Sequence, residues 1–291
     1  MKVAGFTFIR NAVCNDYPIV EAITSILPIC DEFVVAVGQS EDGTRALIES
    51  IGSDKIRIID TIWDEHLREG GRVFAQETDK AFQAISQNVD WAFYIQGDEC
   101  VHEDYLPFIK KQMYAYLKDD RVEGLLFKYK HFYGSYDYYA ESRKWYRREI
   151  RIVRRKLPIY SYRDAQGFRI DDRKLRVRLI NAEIFHYGWV KPPIGLVNKM
   201  QNFSLFYDKN AVVKPIAADV EFDYGNADRL IKYEYTHPKV MQKRIELGNW
   251  QFNFDPTKRK INLKWKYRLL QKIHDWTGIR LFEYKNYRLI N

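Results

Sequence analysis

Long apolar stretches are missing from this 291-residue chain. No run of about 18 consecutive apolar residues occurs, which is the length a membrane-crossing helix needs. The opening segment MKVAGFTFIRNAV places Arg10 and Asn11 where an export signal would carry its apolar stretch, so we expect neither export nor a membrane span. Cysteine is scarce too: Cys14, Cys30 and Cys100 make an odd number with no CxxC or Cys/His zinc spacing. They read as reduced thiols, each a small hydrophobe, in a reducing and therefore cytoplasmic compartment. Internal repeats and low-complexity segments are absent. No glycine-rich phosphate loop follows the first apolar run, where Phe8-Ile9-Arg10-Asn11-Ala12 stands instead.

What is present is an ordinary globular composition, with 46% hydrophobic and 30% charged residues. The net charge of +8 favours an anionic partner, which nucleic acid, a phospholipid surface or a phosphorylated small molecule would each satisfy. Lysine and arginine cluster at 143–178 and 258–288, so the basic surface is expected from the second half. The length suits one α/β domain plus an appendage.

Lys2–Ile9, Glu32–Val37 and Lys55–Asp60 are short β-prone runs separated by helical patterns, from Pro18 through Ile26 and from Thr44 to Ile51. That alternation marks a parallel sheet with crossover helices. A further helix is expected over Gly71–Ser86 and a fourth strand over Trp91–Ile95, ending in Gln96-Gly97-Asp98-Glu99. After a helix across Asp104–Leu117, β-like segments follow at Gly124–Phe132, Arg148–Arg154 and Arg176–Phe185. Beyond these we expect a helix over Leu196–Asp208, a loop over 215–226 and a basic amphipathic helix over Leu263–Trp276, ending at Gly278.

In parallel sheets ligands bind beyond the carboxyl ends of the strands. Asp98 and Glu99 stand there as paired hard-oxygen donors suited to Mg2+ or Mn2+, or else as caps of the following helix. The segments VAGFTFIRNA, DEFVVAVGQSEDGT, IRIIDTIWDE and WAFYIQGDE, in that order, resemble the N-terminal half of family 2 glycosyltransferases of the GT-A fold. The resemblance covers roughly the first hundred residues. It implies a GT-A-like α/β nucleotide-binding fold, with a central mostly parallel mixed sheet flanked by helices and a C-terminal helical appendage. Its catalytic domain would span 1–190, with a nucleotide-sugar half at 1–103 and an acceptor-side half at 104–190, and a basic helical extension would occupy 191–291.

The resemblance further implies that Phe8 and Arg10 line the base site and that Gly38, Ser40, Asp42 and Thr44 match a DxGSxDGT loop. Asp60 would follow the third strand, and Gln96, Gly97, Asp98 and Glu99 would hold the diphosphate and a Mg2+ or Mn2+ ion. Two departures stand out: Val37-Gly38-Gln39 replaces an expected acid, and Gln96 replaces the first acid of a DxD-type motif. The segment from Arg68 to Asp79 aligns with a stretch that reads uracil and sugar. Within it Arg72 either meets a phosphate or is an exposed helix-start arginine.

In the second half, IRIVRRKLPIYSYRDAQGFRID and INAEIFHYGW resemble the acceptor-side segment. An inverting transfer needs a carboxylate to deprotonate the acceptor hydroxyl. Asp164 is preferred for it, with Asp171 and Asp172 as rivals. His186 either ligates the metal, contacts the diphosphate or is structural.

The implied activity is transfer of a hexose from a nucleotide sugar, UDP-linked for preference, to a hydroxyl of a glycan or glycolipid, as in cell-envelope polysaccharide biosynthesis. Two alternatives stay open, a catalytically inactive nucleotide-sugar or glycan-binding protein and a nucleotidyltransferase. The aromatic band from Tyr129 to Tyr162 serves packing, a second copy of the chain in a homodimer, or stacking on acceptor sugars. No nucleic-acid-binding motif accompanies its arginines, so nucleic acid is not expected. The C-terminal helix either packs its apolar stripe on the catalytic domain or lies on the inner face of an anionic membrane.

Overall fold

The computed structural model describes residues 1–67, 69–205, 207, 212, 229–248, 250, 252 and 264–290. The loop expected over 215–226, and Arg68, lie outside these residues.

The first half forms as the apolar runs dictate. Strands β1 (Val3–Ile9), β2 (Glu32–Gly38), β3 (Ile56–Thr61) and β4 (Trp91–Tyr94) are joined through helices α1 (Ile19–Ile26), α2 (Thr44–Glu49) and α3 (Arg72–Gln83). They pair in parallel in the order β3-β2-β1-β4. Side chains alternate between two cores, because successive residues of a strand point to opposite faces. Val3, Phe33, Val35, Trp91 and Phe93 face one core with Ile19, Ile23 and Ile26 of α1. Phe6, Val34, Ala36 and Tyr94 face the other, with Val73, Ala81 and Phe82 of α3. Both faces are covered, so these strands read as continuous apolar segments rather than alternating ones.

The chain then leaves the parallel pattern. A short strand β5 (Glu99–Val101) precedes α4 (Leu106–Ala115), followed by β6 (Gly124–Tyr133), β7 (Ser135–Ala140) and β8 (Arg148–Arg154). Strand β8 runs antiparallel between β4 and β6 and carries the sheet onward to β7. A second, three-stranded sheet is made by β9 (Tyr160–Ser161), β10 (Phe168–Ile170) and β11 (Arg173–Lys174). The long β12 (Arg176–Trp189) lies parallel to β6 and antiparallel to β5.

After it come α5 (Pro193–Leu205), β13 (Leu230–Lys232), α6 (Gln242–Leu247), α7 (Trp265–Thr277) and β14 (Arg288–Leu289). Strand β13 extends the sheet beside β7, and β14 pairs with the start of β12. The last hundred residues thus contribute strands to the sheet as well as helices. A mostly parallel mixed sheet flanked by helices is the GT-A-like architecture that the sequence implied.

Candidate active site

The carboxyl ends of β1 and β4 open into a cavity of about 1130 Å³. Its walls come from distant parts of the chain, from Phe8 and Arg10 at the start to Tyr284 and Tyr287 near the end.

One wall is aromatic. Phe8 stacks on Phe74 at 5.9 Å between ring centroids, Trp63 meets Phe74 edge-on at 5.7 Å, and the Arg10 guanidinium lies 5.5 Å from the Trp63 ring. Arg10 is held there by donating from Nε to the Gln39 carbonyl at 3.1 Å. A ring cluster lining a cavity and edged by a cation is suited to a nucleobase.

The floor is the turn between β4 and β5. Gln96, Gly97 and Asp98 line the cavity there. Asp98 is buried and accepts from Lys199 Nζ at 3.0 Å, and His186 Nε2 lies 3.7 Å from the same oxygen, Oδ2. Burial alone would raise the Asp98 pKa, but the Lys199 ammonium and then His186 hold it well below the usual carboxylate range. Lys199 also donates to the Gly188 carbonyl at 2.9 Å. Gly188 has to be small: a Cβ there would stand 2.5 Å from Asp98 Oδ2 and 2.7 Å from Lys199 Nζ. His186 in turn touches His131, Nδ1 to Nδ1 at 3.3 Å, and His131 Nε2 bonds the Tyr146 carbonyl at 2.7 Å.

Asp164 also lines the cavity, in the turn between β9 and β10 and on the same side as Phe74, since a Cβ on Gly71 would meet both residues. Its Oδ1 accepts from Gln166 Nε2 and its Oδ2 from the Tyr207 hydroxyl, both at 2.7 Å. The flanking Arg163 and Ala165 have φ of 57° and 60°. Non-glycine residues there cost roughly 1–2 kcal/mol each, and such strain concentrates at functional positions. Gly71, at φ 68°, backs directly onto this turn, since a Cβ on it would lie 2.7 Å from Asp164 Cβ.

The structure places the remaining expected residues elsewhere. Ser40 and Asp42 tie the β2–α2 loop together: Ser40 accepts from the Asn11 amide at 3.0 Å, and Asp42 accepts from the amides of Cys14 and Thr44. Gly38 packs against Trp63 behind the aromatic wall. None of these three lines the cavity. Asp60 points away from it and pairs with Arg45 of α2 at 2.9 Å. Arg72 begins α3 as an exposed residue outside the cavity lining. Asp171 and Asp172 form the β10–β11 turn and do not reach the cavity either.

Glu99, expected among the metal ligands, is bonded to an arginine. It is wholly buried, and both its oxygens accept from Arg151, at 2.8 Å each, while Oε1 also accepts from the Tyr129 hydroxyl at 2.7 Å. Those bonds turn it away from Asp98, and it does not line the cavity. Among the described residues the one trio of carboxylate and imidazole donors within 4.8 Å of one another is His102, Glu103 and Asp104, none of which faces the cavity.

The donors that remain at the expected metal position are Asp98 and His186, and the Lys199 ammonium already bonds Asp98 Oδ2, the oxygen that His186 approaches. A divalent cation bound to Asp98 Oδ2 would sit against the Lys199 charge, so this donor set does not fit Mg2+ or Mn2+.

Three residues of consequence escaped the sequence reading. Lys199 and His131 carry no motif. Glu149, on β8, lines the cavity with its Oε2 buried and without a hydrogen-bond partner among the described residues. Burial pushes its carboxyl up to about 8 against the pull of Arg151, with Glu99 and Asp164 adding to the rise. The available signal was charge at alternate positions of an otherwise apolar strand, since Glu149 and Arg151 share one face of β8.

No protein-family model matches this chain, and no curated protein sequence matches it. Several solved structures do resemble it. TarS 1–349 of S. aureus is 15% identical, with 74% of this chain and 67% of that one covered, at a TM-score of 0.41. The glucosyl-3-phosphoglycerate synthase of Mycobacterium tuberculosis is 19% identical over 45% of this chain and 43% of that one, at a TM-score of 0.30. The 4-diphosphocytidyl-2C-methyl-D-erythritol synthase of Anaerococcus prevotii is 13% identical over 65% and 89% of the two chains, at a TM-score of 0.37. The chain has a GT-A-like fold. That statement rests on its strand order, and the functional reading rests on its cavity.

Proposed function

We propose that this chain is a glycosyltransferase that moves a sugar from a nucleotide sugar, UDP-linked for preference, to a hydroxyl of a glycan or glycolipid. The observation that carries this reading is the convergence of three groups in one cavity at the strand ends. They are an aromatic wall for a base, the Lys199–Asp98 pair on the floor for a diphosphate and the Asp164 carboxylate for an acceptor.

The nucleobase lies against Phe8, Trp63 and Phe74, and the diphosphate reaches toward Lys199. An acceptor hydroxyl attacks the anomeric carbon and the bond from that carbon to the diphosphate oxygen breaks. Asp164 takes the hydroxyl proton, and attack from the face opposite the departing diphosphate inverts the anomeric centre. The cavity lining carries eight lysines and arginines against five acids, and this excess meets the charge of the departing nucleoside diphosphate.

The acceptor side supports a lipid-linked substrate. Tyr267, Phe282 and Tyr284 line the cavity and are 48%, 89% and 60% exposed. They continue into the exposed residues Trp265, Leu269 and Trp276 of α7, which Lys264, Lys266, Arg268 and Lys272 accompany. This basic and apolar edge suits the surface of an anionic membrane, with the cavity mouth at the level of the lipid headgroups. Among the described residues no helix is long and apolar enough to cross a membrane.

Chromatography of reactions containing UDP-, GDP- or CDP-linked sugars and a panel of glycolipid acceptors tests the proposal. Nucleoside diphosphate released together with glycosylated acceptor is the expected result. Release of pyrophosphate would instead identify a nucleotidyltransferase, and failure to bind any nucleotide would leave a glycan-binding protein.

A further inference from the structure

Given a nucleotide-sugar donor, we infer that Lys199 supplies the positive charge that a divalent cation would otherwise bring to the diphosphate, so that the protein binds its nucleotide without metal.

The side chain is built into that position. Lys199 comes from α5, on the far side of β12 in sequence, and its ammonium bonds Asp98 at 3.0 Å and the Gly188 carbonyl at 2.9 Å. It is 7% exposed and lines the cavity. The Gly188 backbone leaves the room it occupies, since a Cβ on that residue would overlap it. Tyr17 and Trp189 supply its side walls, with ring centroids 5.4 and 5.6 Å from Nζ.

The acids that would favour a metal over an ammonium are replaced or engaged. Gln96, with a neutral amide, stands where a first acid would, and its Nε2 donates to the Tyr94 hydroxyl at 3.4 Å. Glu99 is locked to Arg151. Among the described residues Asp98 is left as the one carboxylate on the cavity floor, and a single carboxylate beside an ammonium is a paired site rather than a cation trap.

Lys191 is wholly buried, lies 4.9 Å from the same Tyr17 ring and donates to the Asp16 carbonyl. The Asp16 carboxylate itself is paired with Arg244. Lys191 thus lies near the Lys199–Asp98 pair but outside the cavity lining, and leaves Lys199 as the amine of the two that faces the cavity. A diphosphate would complete the cluster by accepting from Lys199 in charge-assisted hydrogen bonds.

Calorimetric titration of the full chain with UDP, GDP and CDP, in EDTA and again with Mn2+, tests the inference. One nucleotide should bind in EDTA with an affinity that Mn2+ leaves unchanged, and Lys199→Met should weaken it by about tenfold or more, the scale of a lost charged hydrogen bond. Lys199→Met alone strands Asp98 in the interior and can damage the fold. The paired variant Asp98→Asn/Lys199→Met removes both charges and should show the same loss with its circular dichroism intact. Binding that appears only with Mn2+ would overturn the inference and leave the donor reading standing. Wild-type affinity in the folded paired variant would overturn it as well. If no nucleotide binds in either condition, the donor reading falls and the inference with it.

Discussion

Glu149 and Asp164 both present carboxyl groups to the cavity, and they differ in what holds them. Each Asp164 oxygen accepts from a neutral donor, Gln166 or Tyr207, in a turn strained by its two left-handed neighbours. Glu149 has an oxygen with no partner among the described residues, and burial keeps its proton on to about pH 8. At neutral pH Glu149 is therefore a hydrogen-bond donor toward a sugar hydroxyl, and the role of base is assigned to Asp164. We expect Asp164→Asn to lower kcat by about 10²–10⁴-fold with KM little changed, the loss typical of a removed general base. Steady-state rates across pH check the assignment. A wild-type rate that climbs as pH passes about 8, and loses that climb in Glu149→Gln, would give the role to Glu149 instead.

At the scale of elements, α7 is the part whose surface disagrees with simple packing. Its stripe was expected either to cover the catalytic domain or to meet a membrane, and only Leu270 and Gln271 are buried, whereas Trp265 is 79% and Trp276 90% exposed. We expect the chain to sediment with vesicles of phosphatidylglycerol but not with vesicles of phosphatidylcholine. Trp265→Ala/Trp276→Ala should weaken that binding by roughly tenfold through lost apolar burial. Equal binding to both vesicles, or none to either, would remove the membrane reading of this helix. The strands β1 to β4 were legible because both their faces are covered, which leaves unbroken apolar runs in the sequence. Strand β5 was not, because Glu99-Cys100-Val101 is three residues long and opens on an acid that reads as a ligand. Its true partner, Arg151, lies 52 positions away, and the partner of Asp98, Lys199, lies 101 positions away. The sequence marks which acids stand at a strand end. Which cation each one meets depends on how β8, β12 and α5 come together, and no local pattern encodes that.

The whole molecule is held by a sheet that buries charge as well as apolar surface, and its stability should carry that signature in pH. Glu149 ordinarily titrates at 4.5 and is pushed up to about 8 in the fold. Between those values the folded protein keeps a proton that the unfolded chain has released, so this group makes stability fall as pH rises across the window. His131 works in the opposite sense: burial and then His186 hold it well below 6.5, so the unfolded chain takes up a proton that the fold refuses as pH drops through 6.5. Lys191, pressed by burial from 10.5 to about 7, likewise makes stability rise with pH between those two values. The contributions of Glu149 and Lys191 oppose each other near neutrality, so the wild-type curve alone does not isolate either. Glu149→Gln does, because its amide has no proton to release. Urea midpoints measured at pH 5 and pH 8 should show the variant gaining on the wild type as pH rises, with the larger difference at pH 8. An equal difference at both values would mean that Glu149 is ionised in the folded protein, and its reading as a buried neutral acid facing the substrate would fail with it.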